Sequence, residues 1–303
     1  MIETTASKSF SSDQGARARA AESRKVSPRA ERANILQWLN LLCLDAPAVA
    51  VSWQFLFARS FRVAVPVRAS AALFLTAWVI YLADRFGDSL SLRAGAATSL
   101  RQRFCLRYRR RWLTAIFIVA LADLFAISGL VEERTLVLGV ELGVIALLYL
   151  SLNQLLPSLW RFLPLKEISI GCIFAAGTMV PLASRLTSGM IAAWVEFAAL
   201  CSVNCISIAV WERALDAAQQ RVTIATVFPK AARLLPIALL LLALASFATA
   251  LSERRLQPAI CLSAALLLAL HLRGDRLESD TRTALADLVL LSPLLLLALE
   301  TLA

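Results

Sequence analysis

Long apolar runs separated by short polar breaks occupy most of the chain from residue 39 onward. Stretches such as 234 to 251 and 285 to 303 are predominantly apolar, with no alternation of polar and apolar positions. A membrane β-barrel would instead alternate polar and apolar positions in segments of about ten residues. In lipid, helices then remain as the way to satisfy the backbone internally. Runs near the roughly 20 residues that cross a bilayer predict spans at 39 to 58, 65 to 83, 112 to 130, 135 to 153 and 168 to 184. Four more fall at 190 to 210, 234 to 251, 258 to 272 and 285 to 303, the eighth being the shortest and starting at Pro258. The pattern predicts an all-α polytopic membrane protein of nine transmembrane helices over 35–303, preceded by a basic tail over 1–34.

The polar breaks orient the bundle. With the amino terminus on the cytoplasmic side, 24 of the 31 basic residues fall in the tail and the inside loops, and seven outside. Loops rich in Lys and Arg stay in the cytoplasm. The predicted inside connections at 84 to 111 and 211 to 233 are also far longer than those outside. Long loops on a rigid scaffold are where function concentrates, so chemistry is expected on the cytoplasmic face.

Composition agrees with this picture and narrows it. A hydrophobic share of 59% and a mean hydropathy of +0.71 exclude a soluble domain. The formal charge of +10 raises nucleic acid as a partner, but the arginines sit between apolar spans, where topology and anionic lipid account for them. No nucleic-acid partner is expected. The six cysteines are scattered without C-x-x-C spacing and read as packing residues. The tail has no apolar core, so a cleaved secretory signal is not expected, and its Ser, Ala and Arg content predicts disorder.

Two acidic pairs stand at the inner ends of predicted spans. The second span runs into Asp84-Arg85-Phe-Gly-Asp88, and the sixth into Glu212-Arg213-Ala-Leu-Asp216. Each pair is spaced i, i+4, which sets two carboxylates on one helix face. Such pairs repel unless a cation lies between them, and Mg²⁺ favours carboxylate and phosphate oxygens. Two pairs at equivalent helix ends can therefore grip a diphosphate through metal. The alternative is a pair of solvated helix ends neutralised by Arg85 and Arg213. Leu163-Pro-Leu-Lys166-Glu167 opens a helix on the same face, with Gly171 and Gly177 beyond it. Its amino terminus and Lys166 suit a phosphate, or else anchor and pack an ordinary span.

On these residues the chain resembles the UbiA-type intramembrane prenyltransferase superfamily over most of 35–303. That family has nine helices, an Asn-Asp-x-x-Asp-x-x-x-Asp motif after helix 2, a related acidic motif after helix 6 and a lysine between helices 4 and 5. Asp84 and Asp88 match the last two acids of the first motif, Glu212 and Asp216 the second, and Lys166 the lysine. The chain departs where Ile80 and Tyr81 replace the Asn and first Asp, and where Glu167 follows the lysine in place of Arg.

The resemblance implies transfer of an isoprenyl group from a polyprenyl diphosphate to an aromatic or lipid acceptor, with Mg²⁺ on Asp84, Asp88, Glu212 and Asp216. It places the diphosphate near Arg85, Lys166 and Arg213, with Asn153 and Asn204 orienting diphosphate or acceptor. Tyr81 then faces the allylic cation, the other reading being an ordinary interfacial tyrosine. Helix-to-helix hydrogen bonding is the other reading of the two asparagines. Asp45, Asp123, Glu141, Glu196 and Asp287 lie in or near spans and are functional candidates by position alone. Gly139-x-x-x-Gly143 is expected to permit close helix packing, and His271 to sit at the interface. Two other functions stay open: a non-catalytic isoprenoid or lipid binder, consistent with the missing first Asp, and a secondary transporter using buried acids.

Overall fold

The computed structural model describes residues 35–92, 95–129, 132–162, 165–250 and 256–302. The expected tail, 1–34, lies outside them. Among the described residues every regular element is a helix. In chain order these are α1 (Ile35–Leu41), α2 (Asp45–Ser60), α3 (Val67–Leu90), α4 (Leu100–Arg107), α5 (Arg109–Ser128) and α6 (Glu133–Leu155). There follow α7 (Leu159–Phe162), α8 (Lys166–Met179) with a 3₁₀ extension Val180–Arg185, α9 (Ser188–Trp211), α10 (Arg213–Ala218) and α11 (Ile224–Val227). The chain ends in α12 (Ala231–Ala250), α13 (Leu256–Arg273), a 3₁₀ turn Gly274–Arg276, α14 (Ser279–Val289) and α15 (Ser292–Leu302).

Seven of these helices are long and apolar enough to cross a bilayer. The pair α14 and α15, bent by 45°, makes an eighth if counted as one span. The first predicted span corresponds to α2, which has only 16 residues and is preceded by a break with Cys43 at φ 56°. Helix α3 runs to Leu90, well beyond the predicted end at 83, and so carries both acids of the first pair in its last two turns.

The spans pack chiefly as α8 on α9, α12 on α13 and α3 on α5. Small residues decide the closest approach: a Cβ on Gly171 of α8 would lie 2.6 Å from the Ser202 backbone nitrogen of α9. In lipid, where apolar burial drives little association, such contacts let backbones meet. Trp53 of α2 stacks on Phe197 of α9 at 4.2 Å, inside a core joined by α8, α12, α13 and α14. Its indole N–H donates to the Leu290 carbonyl at 2.7 Å, satisfying an acceptor freed by the α14–α15 break. The outward faces of α5, α6 and α12 expose Phe117, Phe125, Leu147, Leu241 and Phe247. Apolar exposure on this scale marks a surface made for lipid.

Two short elements carry the site. Ser99 caps α4 in a reciprocal box with Gln102, each side chain bonding the other's backbone N–H. Helix α10 closes with Gln220 in the left-handed region at φ 56°, Arg221 N–H donating to the Asp216 carbonyl and Gln220 N–H to that of Ala217. This is the double bond pattern of a Schellman cap, with Gln where Gly is commonest.

Candidate functional site

A cavity of about 540 Å³ opens where α3, α8 and α9 end or begin, and runs inward between α2, α3, α6, α8 and α9. Its mouth is lined by the acids Asp84, Asp88, Glu212 and Asp216 and by the bases Arg85, Arg101, Lys166 and Arg221. Its inner walls are mostly apolar, including Ala72, Leu73, Ile80 and Ile173, with Thr76, Asp123, Asn204 and Asp287 among them. The two acidic pairs singled out in the sequence thus converge on one space, together with Lys166 and Tyr81.

The acids of each pair differ. Asp88 accepts from Arg221 Nη1 at 2.7 Å, while Arg221 Nη2 donates to the Asp88 carbonyl at 2.8 Å. Glu212 pairs with Arg101 and also accepts from Thr283 at 3.1 Å. Asp84 and Asp216 line the cavity with no side-chain hydrogen bond or ion pair from the described residues. Burial, reinforced by Glu212, pushes the Asp216 carboxyl up to about 6. The break between α9 and α10 falls at Glu212, yet Asp216 N–H still donates to the Glu212 carbonyl, so the pair keeps its one-turn spacing.

The partners of the acids are not the adjacent arginines of the sequence. Arg213 is exposed and does not line the cavity. Arg85 folds back over the Tyr81 ring, 4.7 Å from its centroid, and donates to the Tyr81 hydroxyl. One face of that ring is thus covered by a guanidinium. Arg101 and Arg221 come from the two long loops and are the bases that sequence reasoning missed. Both loops were marked by length and charge, but no local spacing links Arg101 to Glu212 or Arg221 to Asp88. Gln102 and Gln219 brace the loops by an amide pair at 2.9 Å and 3.2 Å.

Asn153 is half-exposed and does not line the cavity; its neighbour Gln154 reaches toward Asp88, at 3.5 Å. Asn204 is buried and lies eight residues before Glu212 on α9, about 12 Å along the helix. There it donates to Asp287 at 3.2 Å. Glu167, in place of a second base beside Lys166, accepts from the Ile224 N–H at 3.0 Å and ties α8 to α11. Asp123 takes the Thr76 hydroxyl at 2.9 Å near the inner end of the cavity.

The expectation for Gly139 and Gly143 needs correction. A Cβ on Gly143 would meet nothing within 4 Å, and one on Gly139 only Val180 at 3.6 Å. Both line the cavity, so they make space instead of a helix contact. His271 accepts from the Trp211 indole at 3.1 Å, and Arg282 covers the other part of this cluster by lying over the Trp211 ring.

Among the described residues no group of three or more His, Cys, Asp or Glu is arranged to hold a metal ion. The two uncommitted carboxylates, Asp84 and Asp216, decide what the donor set fits. Mg²⁺ is commonly bound through one or two carboxylates and completed by phosphate oxygens and water. The set therefore fits a metal that arrives with a phosphate, and not one held by protein alone.

Comparison of the chain with family models, with curated proteins and with solved structures finds no match.

Proposed function

We propose that the chain is a nine-span, UbiA-like membrane prenyltransferase that moves an isoprenyl group from a polyprenyl diphosphate to an aromatic or lipid acceptor at the cytoplasmic face. The observation that carries this reading is one cavity that joins a mouth rich in acids and bases to a largely apolar interior. A diphosphate ester has that same division, a highly charged head on an apolar tail. The ninth span is α2 with α1 before it, and the excess of basic residues in the predicted inside loops supports an amino terminus in the cytoplasm.

On this reading Lys166, Arg221 and Arg101 take phosphate oxygens, and the two arginines exchange Asp88 and Glu212 for them. Asp84, Asp88, Glu212 and Asp216 would hold Mg²⁺, which would neutralise the diphosphate as it leaves. Positive groups fixed at the mouth stabilise negative charge where it develops, and stabilise it more strongly away from water. The apolar walls keep water from an allylic cation after the carbon–oxygen bond breaks. Tyr81 and Arg85 stand between the mouth and the interior, and the guanidinium must leave the ring before that face can receive the cation.

One observation favours a second reading. Asp88 and Glu212 are already neutralised by Arg221 and Arg101, as a non-catalytic isoprenoid or lipid binder would require. Turnover of radiolabelled geranylgeranyl diphosphate, with and without Mg²⁺, separates the two. Diphosphate release that needs Mg²⁺ and disappears in Asp84→Ala and Asp216→Ala supports the enzyme. Isoprenoid binding that persists without Mg²⁺ or turnover supports the binder.

A further inference from the structure

Arg101, near the start of α4, turns inward to Glu212. The arginines that follow it do not. Arg103, Arg107, Arg109, Arg110 and Arg111 are exposed where α4 meets α5, and none of them lines the cavity. Among the described residues none of the five forms an ion pair. Arg103 and Arg107 are one turn apart on α4 and share a face. Arg107 and Arg111 are brought together across the α4–α5 break by Tyr108, whose ring centroid lies 5.7 Å from one guanidinium carbon and 5.5 Å from the other. Cation–π attraction to one ring holds the two like charges near each other, and Phe104 packs on that ring at 4.9 Å. The Tyr108 hydroxyl bonds none of the described residues and is not buried.

Like charges crowded together without an acid repel, so the patch calls for an anion from outside the described residues. Its position says which kind. Helix α5 is long and apolar enough to cross a bilayer, and its exposed apolar side chains begin at Leu113 and Phe117, just past the last arginine. Trp38, also exposed, meets Phe104 edge to face at 5.9 Å, and such aromatic side chains settle at the border of hydrocarbon and water. The guanidinium groups therefore stand at the depth of lipid phosphates, beside a surface that takes acyl chains. Topology requires positive charge at a span end but not its arrangement about a tyrosine. One phosphate is matched by one arginine fork; here two forks and a hydroxyl share a ring, with Arg103 one turn away.

We propose that Arg103, Arg107, Arg111 and the Tyr108 hydroxyl form a surface site for a phospholipid whose headgroup carries two phosphate groups. The site is separate from the cavity and does not rest on the prenyl-transfer reading.

The test uses the full chain, freed of lipid and held at fixed detergent, with three dioleoyl lipids: phosphatidylinositol phosphate, phosphatidylinositol and phosphatidylcholine. The first two differ only by one phosphate. Native mass spectrometry of the titrated protein gives the affinity of each. Phosphatidylinositol phosphate should bind about fivefold more tightly than phosphatidylinositol, and phosphatidylcholine least. The double variant Arg107→Lys, Arg111→Lys keeps the charge but loses the forks, and should weaken the first lipid about threefold. Tyr108→Phe keeps the ring, loses the hydroxyl and should weaken it by a similar factor. Equal affinity for the two inositol lipids overturns the site, and this comparison needs no variant. Affinity unchanged in the folded lysine variant also overturns it. Inorganic pyrophosphate at equal concentration tells a lipid from a soluble anion: lipid that stays bound supports the site, and lipid that is displaced overturns it. Diphosphate turnover enters none of these measurements, so this site and the transfer reading fail separately.

Discussion

Arg221 holds Asp88 twice, through the carboxylate at 2.7 Å and through the backbone carbonyl at 2.8 Å. The loop after α10 is thereby fastened to the last turn of α3. A planar fork sets two nitrogens at fixed separation toward the two acceptors, whereas a lysine brings a single nitrogen to both. Arg221→Ala should reduce diphosphate turnover by about tenfold or more, and Arg221→Lys should recover only part of it. The two residues act together, so the Asp88→Ala, Arg221→Ala double variant should lose less than the two singles combined. Initial rates for the four proteins measure the coupling. Full additivity would mean that the pair does not act as a unit.

Asp216 governs a pH dependence of stability. Its carboxyl is raised from 3.8 to about 6 by burial and by Glu212. The folded protein thus binds more protons at this group than the unfolded chain between those two values, and stability falls as pH rises through that window. Asp216→Asn should raise the thermal midpoint in detergent at pH near 7.5, by up to about 3 kcal/mol in free energy. The gain should fade toward pH near 4. A gain that is equal at both ends contradicts this origin.

Gly143 sets the width of the cavity. Since a Cβ there meets nothing within 4 Å, Gly143→Leu should fold normally and fill space otherwise open to an apolar tail. Geranylgeranyl diphosphate should lose about tenfold in affinity from the reduced apolar burial, and the shorter geranyl diphosphate less. Equal losses for both would place the tail elsewhere.

Gly171 is the opposite case. The Ser202 backbone lies where a side chain would go, and backbone cannot swing aside. Gly171→Ala should cost about 1–3 kcal/mol, read as a lower melting midpoint with unchanged helical content. An unchanged midpoint would show that α8 and α9 can separate freely.

Seven of the predicted spans, or eight with the bent α14–α15 pair, were legible in the sequence because each is predominantly apolar over the length of a bilayer. The predicted run 112 to 130 and helix Arg109–Ser128 nearly coincide. Boundaries were less so: α3 passes through Asp84, Arg85 and Asp88 without unwinding, because those charges turn into the cavity mouth. The acids of the site and Lys166 were visible because helical spacing ties each pair to a span end. Arg101 and Arg221 were not, since their positions depend on how two loops fold over the mouth. Asp45 and Asp287 were seen only as isolated intramembrane acids. They are 242 positions apart in the chain and share one amide of Asn40. The glycines at 139 and 143 carried a spacing that fits helix contact, and only the space beside them tells otherwise.

The most direct measurement is Mg²⁺-dependent release of diphosphate from radiolabelled geranylgeranyl diphosphate by the purified protein, beside Asp84→Ala and Asp216→Ala. Release that requires Mg²⁺ and is lost in both variants is the predicted result. No release under any metal condition, with the isoprenoid still bound by all three proteins, would contradict catalysis and leave a lipid-binding protein.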